Sequence, residues 1–137
     1  MSNVRVEDEA AIQAVLADSY EAWGAGDADG MVADYTADAT AIMTGSLRDG
    51  REMVRQSMAQ AFAGPLKGSS TQNRQLGIRF IGRDAAIVIS ESAILFPGET
   101  GTTDDHRKVN CTWVFERRDA RWLIAAYHNS PVLAPGR

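Results

Sequence analysis

The sequence predicts an α+β fold in which three N-terminal helices pack on the concave face of a cone-shaped, curved antiparallel sheet. Helical spacing of apolar residues is concentrated in the first half of the chain, and long runs with strand-like alternation fill the second half. That order is typical of α+β proteins. Long strands twist strongly, so we expect the sheet to curl around the helices and leave an apolar interior. The 137 residues predict one domain, with its core between about residues 6 and 130.

The first two helices are predicted from apolar spacing and from capping residues. Residues 7–25 form the first, because apolar side chains recur there every three or four positions: Ile12, Val15, Leu16, Tyr20 and Trp23. Asp27 can accept a hydrogen bond from the start of a short second helix that carries Met31, Val32 and Tyr35.

The third helix is predicted to end at about Ala63, before Gly64-Pro65. Asp49 and Glu52 resemble an aspartate version of the capping box at its start. Residues 45–49, just before it, are interpreted as a turn.

Five strands are predicted from alternation and from β-branched or aromatic content. Their ranges are 36–44, 72–81, 85–96, 107–116 and 121–130. Trp113 shares one face of the fourth strand with Val109, Cys111 and Phe115. The last two strands are joined by a turn at residues 117–120.

Composition excludes several classes of function. The chain carries 14 Lys and Arg against 18 Asp and Glu, a net charge of −4, which argues against a nucleic-acid partner. Its single cysteine allows no internal disulfide. Neither a signal peptide nor an apolar run of the ~20 residues that span a membrane is present, so we expect a cytoplasmic protein.

The end of the last strand is the strongest candidate site, because His128, Asn129 and Ser130 follow a run that is apolar on both faces. His128 is the candidate general acid or base, since its reference pKa lies near neutrality. Its strand parity predicts that it points the same way as Ile124. Asn129 is the candidate group that orients a substrate carbonyl. The alternatives are a structural histidine and a plain Asn-Ser-Pro turn.

The pocket walls are predicted to include Trp23, Tyr35 and Trp113, although core aromatics would have the same pattern. Arg74 and Arg79 are five residues apart on one strand, so one of them should face inward if the strand is unbroken. A buried arginine needs an ion-pair partner or an anionic ligand, and Arg74 is included among the substrate-binding candidates.

No cofactor or metal is expected. Asp104, Asp105 and His106 are possible metal ligands in a row, but a loop of this composition is ordinarily solvated. Cys111 is interpreted as a buried small residue of the sheet rather than a nucleophile. The sequence contains neither a glycine-rich phosphate loop nor a Gly-x-Ser-x-Gly elbow.

Several motifs, in this order and spacing, carry a family resemblance over roughly residues 6–130. They are Ala22-Trp23-Gly24-Ala25-Gly26-Asp27, Tyr35-Thr36-Ala37-Asp38-Ala39, Gly50-Arg51-Glu52, Trp113-Val114-Phe115 and Arg121-Trp122-Leu123-Ile124. The chain resembles the nuclear-transport-factor-2-like superfamily and its SnoaL-like members. Its ending, residues 127–132, is similar to the SgcJ/EcaC group, some of which accompany enediyne polyketide synthases.

This resemblance implies a cone-shaped fold with a pocket at its open end, usually in a homodimer. It does not determine the chemistry. Ketosteroid isomerases of this fold use a carboxylate base, a tyrosine and a protonated carboxylic acid. The matching positions here hold Met43, Ser19 and Cys111, so that mechanism is expected to be absent. Met43 is instead included among the substrate-binding candidates.

Two functions follow as hypotheses, beside a third possibility that the pocket is vestigial and the dimer surface is the functional part. In the first, the chain performs cofactor-free acid–base isomerisation, cyclisation or dehydration of a hydrophobic polyketide-like intermediate, with His128 and Asn129 as catalytic residues. In the second, it is a non-catalytic binder or an accessory partner of a polyketide synthase.

Overall fold

The computed structural model describes residues 3–133. Helices and strands follow one another as α1 (Asn3–Gly24), α2 (Ala28–Met31), β1 (Tyr35–Met43), β2 (Ser46–Asp49), α3 (Arg51–Ala63), β3 (Ser70–Ile81), β4 (Ala85–Leu95), β5 (Lys108–Arg118) and β6 (Arg121–Pro131), with a short 3-10 turn at Asp105–Arg107 before β5. The α+β class and the curved sheet are confirmed.

The six strands form one sheet in the order β2-β1-β6-β5-β4-β3. All neighbours are antiparallel except β1 and β6, which run parallel. The prediction of an antiparallel sheet is therefore wrong for this one pair. Parallel neighbours require a long connection, and here the whole segment from β2 to β5 supplies it.

The helices differ from the predicted N-terminal group of three. Only α1 and α2 precede the sheet, and α2 is a single four-residue turn. α3 follows the β1–β2 hairpin and packs against it, whereas α1 packs against β3 and β6. Asp27 caps α2 as predicted, because its carboxylate accepts a hydrogen bond of 2.9 Å from the Gly30 amide.

The segment predicted as a turn at residues 45–49 is mostly a strand. The turn is limited to Thr44 and Gly45, and Met43 pairs directly with Ser46. Gly45 has a φ of +75°, the left-handed conformation that a two-residue hairpin favours. Asp49 therefore lies in β2, and the predicted capping box is wrong: α3 starts after Gly50 with no side-chain cap.

Two β-bulges interrupt the alternation of the strands. On β6, Ala126 pairs with Val114 but Ile124 pairs with Phe115, so Ala125 is an extra residue. On β3, Leu76 is extra, because Gln75 and Gly77 pair with consecutive residues of β4. A bulge bends its strand and increases the local twist, which helps the sheet to curve. Beyond each bulge, the side chains that point inward change parity.

The core lies between the inner face of the sheet and the helices. Val88, Trp113, Phe115 and Ile124 cover the sheet side, and they pack with a helical set that comprises Ile12, Leu16, Val54, Met58 and Phe62. The predicted inward face of β5 is confirmed, since Cys111, Trp113 and Phe115 are all buried. This core joins the inner face of the sheet to the helices.

At the end of the sheet where β5 turns into β6, Arg117 makes two ion pairs. Its guanidinium lies 2.9 Å from the Asp8 carboxylate of α1 and 3.1 Å from that of Asp84. The Trp122 indole donates a 3.2 Å hydrogen bond to the same Asp8 oxygen, and Arg117 also stacks over its ring. We call these four residues the Arg117 cluster; it ties α1 to the sheet.

Among the described helices, none combines the length and apolar character that crossing a membrane requires.

Candidate ligand-binding pocket

A cavity of about 490 Å³ lies between the helices and the inner face of the sheet, at the end opposite the Arg117 cluster. Its size is in the range of pockets that enclose small organic molecules, roughly 300–1,000 Å³. α1, the β1–β2 hairpin, α3 and the inner ends of β3 to β6 all contribute. The lining includes Ser19, Tyr20, Trp23, Tyr35, Ala41, Met43, Arg48, Val54, Met58, Asn73, Ser92, Arg107, Trp113, Tyr127 and Asn129.

The aromatic walls form where the sequence predicted them. Trp23, Tyr35 and Trp113 line the cavity, as does Met43. The Trp113 ring lies 4.3 Å from that of Tyr127 and contacts Tyr20 edge to face at 6.3 Å. Such contacts restrict the rings to one orientation, so the apolar surface is preformed rather than fluid.

A short hydrogen-bond chain runs along the β5–β6 side of the cavity. The Asn129 amide nitrogen donates a 2.7 Å bond to the Tyr127 hydroxyl oxygen, and the Cys111 sulfur lies 3.4 Å from the same oxygen. Trp113 is held in turn by a 3.3 Å bond from its indole nitrogen to the Ser90 hydroxyl. Asn129 thus orients the Tyr127 hydroxyl.

The tyrosine hydroxyls of the walls and the cysteine thiol beside Tyr127 are neutral. Burial raises the pKa of Tyr20, Tyr35 and Tyr127 well above the ordinary tyrosine value. Burial also raises the pKa of the Cys111 thiol, so it is not activated as a nucleophile. The three phenols therefore stay protonated at neutral pH, as hydrogen-bond donors or acceptors.

His128 does not lie in the cavity. It is exposed and pairs with Thr112 and with Ile42, whose side chain is also exposed, on the outer face of the sheet. The prediction that it points the same way as Ile124 is wrong, because the extra residue Ala125 reverses the alternation between them. Asn129 faces the cavity instead. The two predicted catalytic residues are thus on opposite faces, and a role for His128 stays a prediction that the pocket geometry does not support.

Arg74 also lies outside the cavity. It is exposed, and its guanidinium is 3.4 Å from the Glu91 carboxylate. Arg79 is exposed as well. The prediction that one of them faces inward assumed an unbroken strand, and the bulge at Leu76 removes that condition.

Arg48 is the cavity arginine that the sequence interpretation missed. It lies on β2, partly buried, and donates a 3.1 Å hydrogen bond to the Met58 sulfur. Burial lowers its pKa, while Tyr35 and Tyr127 act in the opposite direction. The signal was present: an apolar strand followed by Thr44-Gly45 is a hairpin pattern, and recognising it would have placed Arg48 on a strand.

The charges of the lining define what the site can do. Arg48 and Arg107 are the charged residues among the described lining, which includes neither a carboxylate nor a histidine. Arg107 is already paired, at 2.8 Å from Glu99, whose pKa this bonding lowers to about 2. The walls can therefore bind, orient and polarise a molecule, but they present no group that exchanges protons readily at neutral pH.

The described residues contain no cluster of three or more potential metal ligands. Asp104, one of the three consecutive candidates, instead caps the short 3-10 turn by accepting a 3.0 Å bond from the His106 amide.

Comparison with known proteins identifies the family of this chain. The family model of the SnoaL-like domain matches residues 12–135. A search of the curated proteins found no match.

Solved structures share the fold. A domain of unknown function with a cystatin-like fold from Nostoc punctiforme is 26% identical, with a TM-score of 0.84 over 94% of this chain and 80% of that one. A nuclear-transport-factor-2-like protein from Novosphingobium aromaticivorans is 20% identical, with a TM-score of 0.78 over 96% and 85% of the two chains. A hexachlorocyclohexane dehydrochlorinase from Novosphingobium barchaimii is 17% identical, with a TM-score of 0.77 over 98% and 94%. The last two show the fold alone.

Proposed function

Since this chain belongs to the SnoaL-like domain family, we propose that its cavity binds a small, largely apolar molecule and orients it by hydrogen bonds, without itself transferring protons. The observation that carries this proposal is the composition of the described lining. Aromatic and aliphatic walls surround neutral tyrosine hydroxyls, the amides of Asn73 and Asn129 and two arginines, and they include neither a carboxylate nor an imidazole. Binding and orientation need only those groups.

The proposal is tested with the neutral fluorescent probe N-phenyl-1-naphthylamine. We expect saturable binding of one probe per chain. Ala41 lines the cavity, so Ala41→Leu should fill part of it and weaken binding by about tenfold or more. Ala37, exposed on the same strand, offers the matched control Ala37→Leu, which should bind as the wild type does. A wild type that shows no saturable binding, or equal losses in both variants, would contradict the proposal.

A second candidate is catalysis by polarising a carbonyl. The 2.7 Å bond that Asn129 donates to the Tyr127 oxygen favours it, because a phenol that accepts a hydrogen bond donates its own proton more strongly. A hydroxyl so oriented could stabilise the enolate that forms when hydroxide from the solvent removes the α-proton of a bound ketone. The test is deuterium incorporation beside the carbonyl of 1-tetralone in D2O, followed by NMR. Exchange above background that Tyr127→Phe abolishes would support catalysis, whereas background exchange would leave the binding function.

The finer biological role is also a proposal. The resemblance of residues 127–132 to the SgcJ/EcaC group supports a polyketide-like ligand and a role beside an enediyne polyketide synthase. A row of side chains on the outer face of the sheet, Ile42, His128, Thr112 and Ile89, supports a homodimer through that face. Sedimentation velocity should then show a dimer that Ile42→Glu dissociates, and a monomeric wild type would exclude it.

A further inference from the structure

We infer that the cavity is specific for an apolar molecule with a single carboxylate, and that Arg48 is the group that recognises it. This inference rests on the proposed binding function and names the chemical class of the ligand. The charges of the cavity are unbalanced, because Arg48 brings a positive charge into an otherwise neutral, largely apolar space.

The charge of Arg48 has no counterion among the residues that the structure describes. Among residues 3–133 its hydrogen bond goes to the Met58 sulfur, a weak acceptor, and none of their carboxylates pairs with it. Other partly buried arginines are neutralised: Arg107 by Glu99 at 2.8 Å, and Arg117 by Asp8 at 2.9 Å. An arginine side chain stays charged inside proteins, so Arg48 cannot relieve the imbalance by losing a proton.

An anionic ligand would relieve it. A guanidinium presents several donors in a plane that matches a carboxylate, and a pair formed away from water is stronger than an exposed one. Nearby, Tyr35 is buried with its hydroxyl free of hydrogen bonds to any residue from 3 to 133, and its raised pKa keeps it protonated. A carboxylate oxygen could accept from both groups.

The rest of the cavity limits the ligand to one charged end. Its second arginine, Arg107, is already neutralised, and the other walls are aromatic, aliphatic or neutral and polar. A second anionic group would have no counterion there. The overall charge of −4 also excludes a general attraction of the surface for anions, so recognition depends on this one position.

The experiment uses an isosteric pair, 2-naphthoate and 2-naphthamide, which displace N-phenyl-1-naphthylamine from the full chain near neutral pH. We expect the carboxylate to bind about tenfold or more tightly than the amide. Arg48→Met should remove this preference, so that the carboxylate and the amide displace the probe equally well. Arg48→Lys, which keeps the charge but loses the planar donors, should keep part of the preference.

Arg74→Met is the matched control, because Arg74 is exposed and lies outside the cavity. It should leave the preference for the carboxylate unchanged. Equal affinities for the two naphthyl compounds in the wild type, or a preference that survives Arg48→Met, would overturn the inference.

Failure of the proposed function gives a different result. If the neutral probe does not bind the wild type, calorimetry with 2-naphthoate alone decides the inference. If 2-naphthoate releases or absorbs heat on binding the wild type and Arg74→Met but not Arg48→Met, the carboxylate site at Arg48 is supported. The proposed binding of neutral apolar molecules would then be wrong. No heat in the wild type would overturn both.

Discussion

Arg117 and Arg48 lie at opposite ends of the sheet, and they differ in what neutralises their charge. Arg117 is bound by Asp8 and Asp84 and packs on Trp122, so its charge is satisfied within the fold. Arg48 donates a hydrogen bond to the Met58 sulfur and otherwise lines the cavity. One end of the molecule uses its arginine to hold elements together, while the other leaves its arginine available to a ligand.

This difference predicts which substitutions alter stability and which alter binding. A charge that is paired inside a protein is costly to leave alone, because its partner remains behind without compensation. A charge that was never paired can be removed with little loss of stability.

The largest expected effect is a loss of folding stability at high pH, caused by the tyrosines that line the cavity. Burial raises the pKa of all three tyrosines, Tyr20, Tyr35 and Tyr127, above their value in the unfolded chain, near 10. Their contribution to stability is therefore complete below pH ~10 and is lost as the pH rises above it, by about 1.4 kcal/mol per tyrosine per pH unit. Absorbance at the tyrosinate band should stay low in the folded chain and appear only with unfolding. A normal titration near pH ~10 without unfolding would show that the tyrosines are solvated.

The next prediction concerns the Arg117 cluster. Arg117→Met leaves the buried Asp8 carboxylate without its closest cation, so the free energy of unfolding should fall by about 3 kcal/mol. The neighbouring Arg118 is much more exposed in its contacts with Asp38 and Glu116, and Arg118→Met should cost no more than about 0.5 kcal/mol. Urea denaturation measures both. If Arg117→Met lowers the free energy of unfolding by no more than about 0.5 kcal/mol, as expected for Arg118→Met, the Arg117 cluster does not stabilise the fold.

The same substitution at the cavity should behave differently. Arg48→Met removes an unpaired charge and replaces it by an apolar chain, so stability should be unchanged or rise by up to about 1 kcal/mol. Urea denaturation of the ligand-free chain is again the measurement. A loss as large as that of Arg117→Met would show that Arg48 has a structural partner, and the contrast between the two ends would disappear.

The smallest expected effect separates the two faces of β6. Asn129→Ala removes the donor that orients Tyr127, and binding of 2-naphthoate should weaken by about fivefold. His128→Ala changes a side chain on the outer face, so the affinity should stay within about twofold. Displacement of the fluorescent probe gives both values. The reverse order would place His128, and not Asn129, at the ligand.

Much of the pocket could be predicted from single residues and their local pattern. Trp23, Tyr35, Met43, Trp113 and Asn129 all line it. The aromatic residues were predicted because large apolar side chains at helical or alternating spacing face the interior, and a cavity replaces part of that interior. Met43 came from the family resemblance; it lines the cavity, and its contact with a ligand stays a prediction.

The errors share a physical cause. The face of His128, and the expectation that either Arg74 or Arg79 faces inward, came from counting along a strand, and each count crosses a bulge. An extra residue reverses every later side chain, although the local sequence looks the same. Arg48 was missed for a related reason, since its four-residue strand is stabilised by pairing with β1 rather than by its own composition.

The sequence by itself determined the α+β class, most helix and strand positions, the apolar and aromatic character of the interior and the single buried cysteine. These properties follow from periodicity and residue type, which act over a few neighbouring positions. Only the tertiary structure decided that β1 lies parallel to β6, that Asn129 rather than His128 faces the cavity, and that Arg48 enters it without a counterion among residues 3–133. Those outcomes depend on pairing between distant strands, because register and bulges are set by the neighbour that a strand finds and not by the strand alone.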